Sequence, residues 1–117
     1  MVQEIRTLEE MDALLAGPDP VLLFKYSPTC GISQVAQEAW EAFQDGPRTV
    51  LLAQCDVLEA KPAARGISEL IHVAHQSPQV LALLDGRCIA HASHYSIKTS
   101  WLAQAEQKLL TAVQAAA

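Results

Sequence analysis

The chain has 117 residues, half of them apolar and 18% charged, with 13 acidic side chains against 8 basic ones for a net charge of −5. That length suits a single domain, expected over residues 1–117, which buries roughly two-thirds of its unfolded surface without needing a disulfide or a metal. The acidic balance argues against a nucleic-acid partner, and the longest apolar run, Val80 to Leu84, falls far short of the roughly 20 residues of a membrane helix.

Thr7-Leu8-Glu9-Glu10 has the pattern of a capping box, with Leu8, Met11 and Leu15 following on one helical face. Gly17-Pro18 stops that helix. Val21 to Phe24 is a continuous apolar run, as in a strand buried on both sides; Lys25 to Thr29 then read as a loop. From Cys30 to about Phe43 the pattern is helical, with Ile32, Val35 or Ala36, Ala39 and Phe43 on one side. A second apolar strand is expected from Thr49 to about Cys55. A helix follows between Asp56 and Leu70, its start limited by Pro62 and its middle weakened by Gly66. Gln79–Leu84 and Arg87–Ser93 flank Asp85-Gly86, a hairpin signal. From about Ile97 an Ala-rich helix carries Leu102, Ala105, Leu109 and Val113 on its core face. The order α-β-α-β-α-β-β-α predicts an α/β domain with a mixed four-stranded sheet and helices on both faces.

Three cysteines, Cys30, Cys55 and Cys88, are an odd and scattered set, unlike a secreted disulfide framework. The N-terminal Met-Val-Gln-Glu has no basic-then-apolar layout of a signal peptide, so a cytoplasmic location is expected. Cys30 stands out: a buried strand runs into a short loop, and the cysteine sits where a helix begins. There the unpaired N–H groups and the helix dipole favour thiolate over thiol, and the thiolate is the species that attacks a disulfide. Ser77-Pro78 directly precedes the hairpin. A cis bond there brings its loop beside the helix-start cysteine, although sequence does not reveal the isomer.

These residues resemble the thioredoxin fold and, more narrowly, the monothiol bacilliredoxins of the bacillithiol system. The resemblance rests on Phe24-Lys25 followed by Ser27, then Cys30 with Ile32-Ser33, His75, Ser77-Pro78-Gln79-Val80, Asp85-Gly86 and His91-Ala92-Ser93-His94. It covers nearly the whole chain. Gly31 departs from it, since the family pattern has proline there. The resemblance implies that Cys30 attacks the mixed disulfide between bacillithiol and a client protein, freeing the client thiol. The implied partners are S-thiolated client proteins and a small thiol. Bacillithiol, or another low-molecular-weight thiol, is the co-substrate, and no cofactor is tightly bound. Ser33 stands where a dithiol redoxin has its second cysteine. A hydroxyl forms no disulfide but can donate a hydrogen bond to the Cys30 thiolate, so a monothiol cycle is expected. Cys30, Ser33 and Pro78 are thus the candidate catalytic residues, with Lys25, Thr29, Gly31, Ser77 and His94 as candidate substrate contacts. Ser77 takes its role, a backbone offered to substrate, only from the resemblance.

Other readings stay open at this level. Lys25 is either a solvated strand end or a positive charge that stabilises the thiolate or an anionic thiol. Cys55 is expected as a core residue, with a distant resolving role as the alternative, and Cys88 is expected at the opposite end of the sheet. His94 either approaches the thiol or packs on the surface. The pairs His72-x-x-His75 and His91-x-x-His94 suggest a metal, but residues three apart on a strand point to opposite faces, and none is expected. Cys30-Gly31-Ile32-Ser33 is one residue from the Cys-Gly-Phe-Ser signature of monothiol glutaredoxins, which makes a [2Fe–2S] cluster carrier the rival function. A non-catalytic binding module is the third.

Overall fold

The computed structural model describes residues 2–29, 31–45 and 49–116. Its elements are β1 (Val2–Glu4), α1 (Leu8–Ala16), β2 (Val21–Tyr26), α2 (Gly31–Gln44), β3 (Leu51–Asp56), α3 (Lys61–Ile71), β4 (Gln79–Leu84), β5 (Arg87–Ser93), a 3-10 turn over His94–Ser96, and α4 (Thr99–Ala116). The five strands are ordered β1-β3-β2-β4-β5. β1 and β2 run parallel to β3, whereas β4 is antiparallel to both β2 and β5. The sheet therefore has five strands rather than the expected four. The additional strand, β1, is three residues long and has no pattern of its own. It forms because the open edge of β3 pairs Val2 with Leu52 and Glu4 with Gln54.

Local chemistry sets the ends of the elements. The Thr7 hydroxyl accepts from Glu10 N–H at 3.1 Å, and the Glu10 carboxylate accepts from Thr7 N–H at 3.0 Å, so the expected capping box starts α1. Asp56 ends β3 rather than opening a helix. Its Oδ1 accepts from the N–H groups of Leu58 and Glu59 at 2.9 and 3.2 Å, which makes a side-chain turn. α3 then begins at Lys61, with Pro62 in its first turn, where a missing N–H costs nothing. Asp85 and Gly86 both have positive φ, 53° and 74°, as the tight hairpin turn requires. One extra residue in β5, Ile89, interrupts the pairing of Ala82 with Ala90 and Leu83 with Cys88. This bulge moves Cys88 to the opposite face from Ala90 and Ala92.

The sheet carries a core on each face. Val21, Leu23, Ala53, Cys55, Leu81 and Leu83 pack with Met11 of α1 and with Ile67 and Ile71 of α3. Leu22, Phe24, Leu52, Val80 and Ala82 pack with Ala36, Trp40 and Phe43 of α2 and with Leu102, Ala105 and Leu109 of α4. Among the expected core positions, Leu8 and Val113 are instead 38% exposed each, and of the alternatives Val35 and Ala36 it is Ala36 that is buried. The buried stripe of α2 runs through Ser33, Ala36, Trp40 and Phe43. A Cβ at Gly66 would lie 2.7 Å from Leu8 Cδ1, the end of a flexible side chain. Among the described residues, no helix is long and apolar enough to cross a membrane.

Candidate active site

The register of β2 and β4 determines what meets at the active edge. Lys25 pairs with Gln79. Beyond that pair, Tyr26 leads into the 27–29 loop, while Pro78 precedes β4. The Ser77–Pro78 bond is cis. The loop approaching Cys30 and the loop carrying the cis proline thus leave adjacent strands at one sheet edge. Cys30 itself lies outside the described residues; Thr29 before it is exposed in a turn, and α2 begins at Gly31 after it. Gly31 is exposed, and a Cβ there would meet no atom within 4 Å.

Ser33 is buried, and its Oγ accepts from the Ser27 N–H at 2.9 Å. The hydroxyl therefore ties the 27–29 loop to the first turn of α2 and still has its own proton to donate. Ser77 Oγ is buried with no hydrogen-bond partner among the described residues. His94 is half-buried with φ at 54°, and its N–H donates to Pro78 O at 3.1 Å. The 3-10 turn that it opens packs against α2. The structure thus brings His94 to the cis-proline loop and its turn to the helix that follows Cys30.

Lys25 is not the solvated strand end of one expectation. β2 extends through Tyr26, so Lys25 belongs to the strand, not to the loop, and it has no solvent exposure. The solvated reading is overturned because the side chain points to the α3 side of the sheet, with Val21 and Leu23. There its Nζ donates to Gln79 Oε1 at 3.0 Å and to Ser68 Oγ at 3.2 Å. Burial lowers its pKa to about 8, and the charge of Arg65 adds to the effect. The paired residue on β3, Cys55, is fully buried, and burial raises its thiol pKa to about 11. Cys55 is thus the expected core residue. Cys88 is at the far end of the sheet, as expected, with its Sγ donating to Ala90 O at 3.2 Å. His75 is part-buried, and burial, with the charges of Lys25 and Arg65, lowers its pKa.

On the opposite face a polar chain runs under α2. Trp40 Nε1 donates to Gln54 Oε1 at 3.1 Å, Gln54 Nε2 donates to Glu4 Oε1 at 2.8 Å, and Tyr26 Oη donates to Glu4 Oε2 at 3.0 Å. Beside it a groove of about 300 Å³ is lined by Tyr26, Pro28, Ser33, Gln34, Gln37 and Gln54. The sheet order puts this groove on the β3 side of the 27–29 loop and the cis proline on its β4 side. Sequence reasoning assigned no role to Gln79, Gln54 or Ser68. The available signal was a polar residue at the start of one apolar run, Gln79, and inside another, Gln54, which shows that a partner is needed but not which one; Ser68, on α3, gave no such signal.

The model of one protein family, monothiol bacilliredoxin BrxC, matches residues 3–102. Among solved structures, the chain is similar to a protein described as a candidate oxidoreductase with a thioredoxin fold, at 24% identity and a TM-score of 0.78 over 90% of this chain and 93% of that one. It is also similar to Fasciola hepatica thioredoxin, at 17% identity and a TM-score of 0.74 over 92% and 98% of the two chains. A third likeness is to mitochondrial thioredoxin 3 of Saccharomyces cerevisiae, at 20% identity and a TM-score of 0.72 over 92% and 95%. The fold is therefore the thioredoxin fold.

Proposed function

The chain belongs to the monothiol bacilliredoxin family and so to the thiol redox proteins, and we propose that it removes bacillithiol from mixed disulfides on client proteins through Cys30. In this reaction the Cys30 thiolate attacks the bacillithiol sulfur of the client disulfide. A new disulfide forms between Cys30 and bacillithiol, the client–bacillithiol S–S bond breaks, and the client leaves as a thiolate. A second low-molecular-weight thiol then attacks the bacillithiol sulfur held on Cys30. It takes bacillithiol away as a mixed disulfide and returns Cys30 as thiolate. No electrons are gained or lost overall in either exchange.

The observation that carries the reading is the register of β2 against β4, which sets the loop entering Cys30 next to the cis Ser77–Pro78 bond. In this role the backbone around Ser77 pairs with the client chain, as the family resemblance implies. Ser33 holds the 27–29 loop through Ser27 and offers its proton to the thiolate. The groove between α2 and β3 has space for a small thiol beside the same loop. Cys55, buried and with a raised pKa, is unsuited to resolve the adduct, so the cycle runs on one protein thiol. The reaction calls for no tightly bound cofactor or metal, and it fits a thiol-reducing compartment such as the cytoplasm.

The test is intact-mass spectrometry of the reduced chain mixed with a model protein carrying bacillithiol, beside a control carrying glutathione. Transfer of the bacillithiol mass to Cys30 in preference to glutathione is the expected result. Transfer that survives Cys30→Ser, or no transfer of either mass, overturns the proposal.

A further inference from the structure

Gln79 follows the cis proline directly and is 1% exposed. A carboxamide buried on a sheet face requires partners for both of its ends, and Gln79 finds them in the loop just before it. Its Nε2 donates to Ala74 O at 3.1 Å, and its Oε1 accepts from Gln76 N–H at 3.4 Å. The same Oε1 accepts from Lys25 Nζ at 3.0 Å, and Nζ also donates to Ser68 Oγ on α3 at 3.2 Å. The carboxamide thus bridges the backbone of the 74–77 loop, while the lysine ties it to β2 and α3.

The two side chains depend on each other. A carboxamide has two orientations that fill the same space with oxygen and nitrogen exchanged. In the observed one, oxygen meets two donors and nitrogen meets an acceptor. In the flipped one, nitrogen would face the Lys25 ammonium and the Gln76 N–H, and oxygen would face the Ala74 carbonyl. An ammonium has only donors, so Lys25 admits a single orientation. We propose that Lys25 and Gln79 are positioning residues for the 74–78 loop: the ammonium sets the orientation of the carboxamide, and the carboxamide sets the loop that presents Ser77–Pro78 to the incoming disulfide. The part concerning the disulfide rests on the function proposed above; the part concerning the loop does not. In this arrangement Lys25 acts from behind the loop, through Gln79.

The experiment compares wild type, Lys25→Met, Gln79→Met, Gln79→Glu and the Lys25→Met/Gln79→Met double variant by backbone hydrogen exchange resolved to peptides. Lys25→Met keeps much of the side-chain bulk and removes the donor. Gln79→Glu keeps a partner for the ammonium but loses the donor to Ala74 O, so it reports on the clamp if the methionine variants do not fold. Exchange over 74–77 is expected to rise about tenfold in each single variant, in keeping with the loss of one buried hydrogen bond. Exchange in β3 should be unchanged, and the double variant should add nothing further, since both changes break one unit. An equal rise in β3 marks a general loss of stability and overturns the proposal, as does an unchanged loop. With the bacillithiol-carrying protein as substrate, the single variants should raise KM several-fold with kcat within about twofold. A fall in kcat at constant KM places Lys25 at the thiol and overturns the positioning role. Absence of transfer by the wild type counts against the proposed function alone, because the exchange measurement still judges the clamp.

Discussion

Cys55 and Lys25 are paired in register on neighbouring strands, face the α3 side together, and have no solvent exposure. Burial shifts the two groups in opposite senses. The thiol is pushed up to about 11 and the ammonium down to about 8, so each moves toward its neutral form. Cys55 is therefore expected to resist alkylation in the native protein. At pH 8 its thiolate fraction is lower than that of a free cysteine by on the order of a hundredfold, and access is a further barrier. Peptide-level mass spectrometry after iodoacetamide treatment checks this: Cys55 should label only when denaturant is present, and rapid labelling of the folded chain would refute it. The two residues differ in how far a single position can be read. The core role of Cys55 was legible from the apolar run around it. The burial of Lys25 was not, because lysine is rarely buried without a partner and its partners, Ser68 and Gln79, come 43 and 54 residues later. Cys30, whose position at a helix start was the strongest signal in the chain, falls outside the described residues.

Elements were legible where their determinants are local. The capping box at Thr7 and Glu10 and the Asp85-Gly86 hairpin appear as expected, since neighbouring residues supply every bond they need. β1 was not legible, because three residues become a strand only when an edge is present to pair with them. The start of α3 was placed five residues early, since Asp56 serves as a turn former at a strand end rather than as a helix start. Two substitutions test these accounts. Thr7→Ala removes the acceptor for Glu10 N–H and should cost about 1 kcal/mol in urea unfolding; no change in the midpoint would show that α1 is held by packing alone. Gly66→Ala sets helix propensity, worth about 1 kcal/mol, against a close approach to Leu8 Cδ1 at 2.7 Å. Leu8 is 38% exposed, and the atom in question is the end of a flexible side chain, so it can turn aside. The expected result is a gain of about 0.5 kcal/mol, and a loss instead would mean that Leu8 is pinned against α3.

At the scale of the whole molecule, alternating strands and helices closed by a hairpin were enough to indicate a mixed sheet covered on both faces, since parallel neighbours need a crossover and antiparallel ones only a turn. The register that brings the two loops together was beyond reach, because it depends on how β2, β3 and β4 align across the sheet. That alignment also buries the groups that should govern stability against pH. Lys25 is charged in both folded and unfolded chains below about pH 8, and there the cost of burying the ammonium is fully present. As pH rises through about 8 the folded chain loses this proton while the unfolded chain keeps it until near 10.5. The unfolded state then binds more protons, so stability rises with pH. Cys55 acts in the opposite direction. Its ordinary value is 9.0 and its folded value about 11, so above pH 9 the unfolded thiol ionises first and stability falls. The Tyr26 phenol, raised by burial and by its hydrogen bond to Glu4, adds to that fall at higher pH. Relative to Lys25→Met, the wild type should therefore gain in urea midpoint from pH 7 to 9. Relative to Cys55→Ala, it should lose from pH 9 to 10.5. Midpoints measured across that range at constant ionic strength decide the matter. If wild type and Lys25→Met move in parallel between pH 7 and 9, the buried ammonium carries no such cost, and Lys25 must reach water in solution.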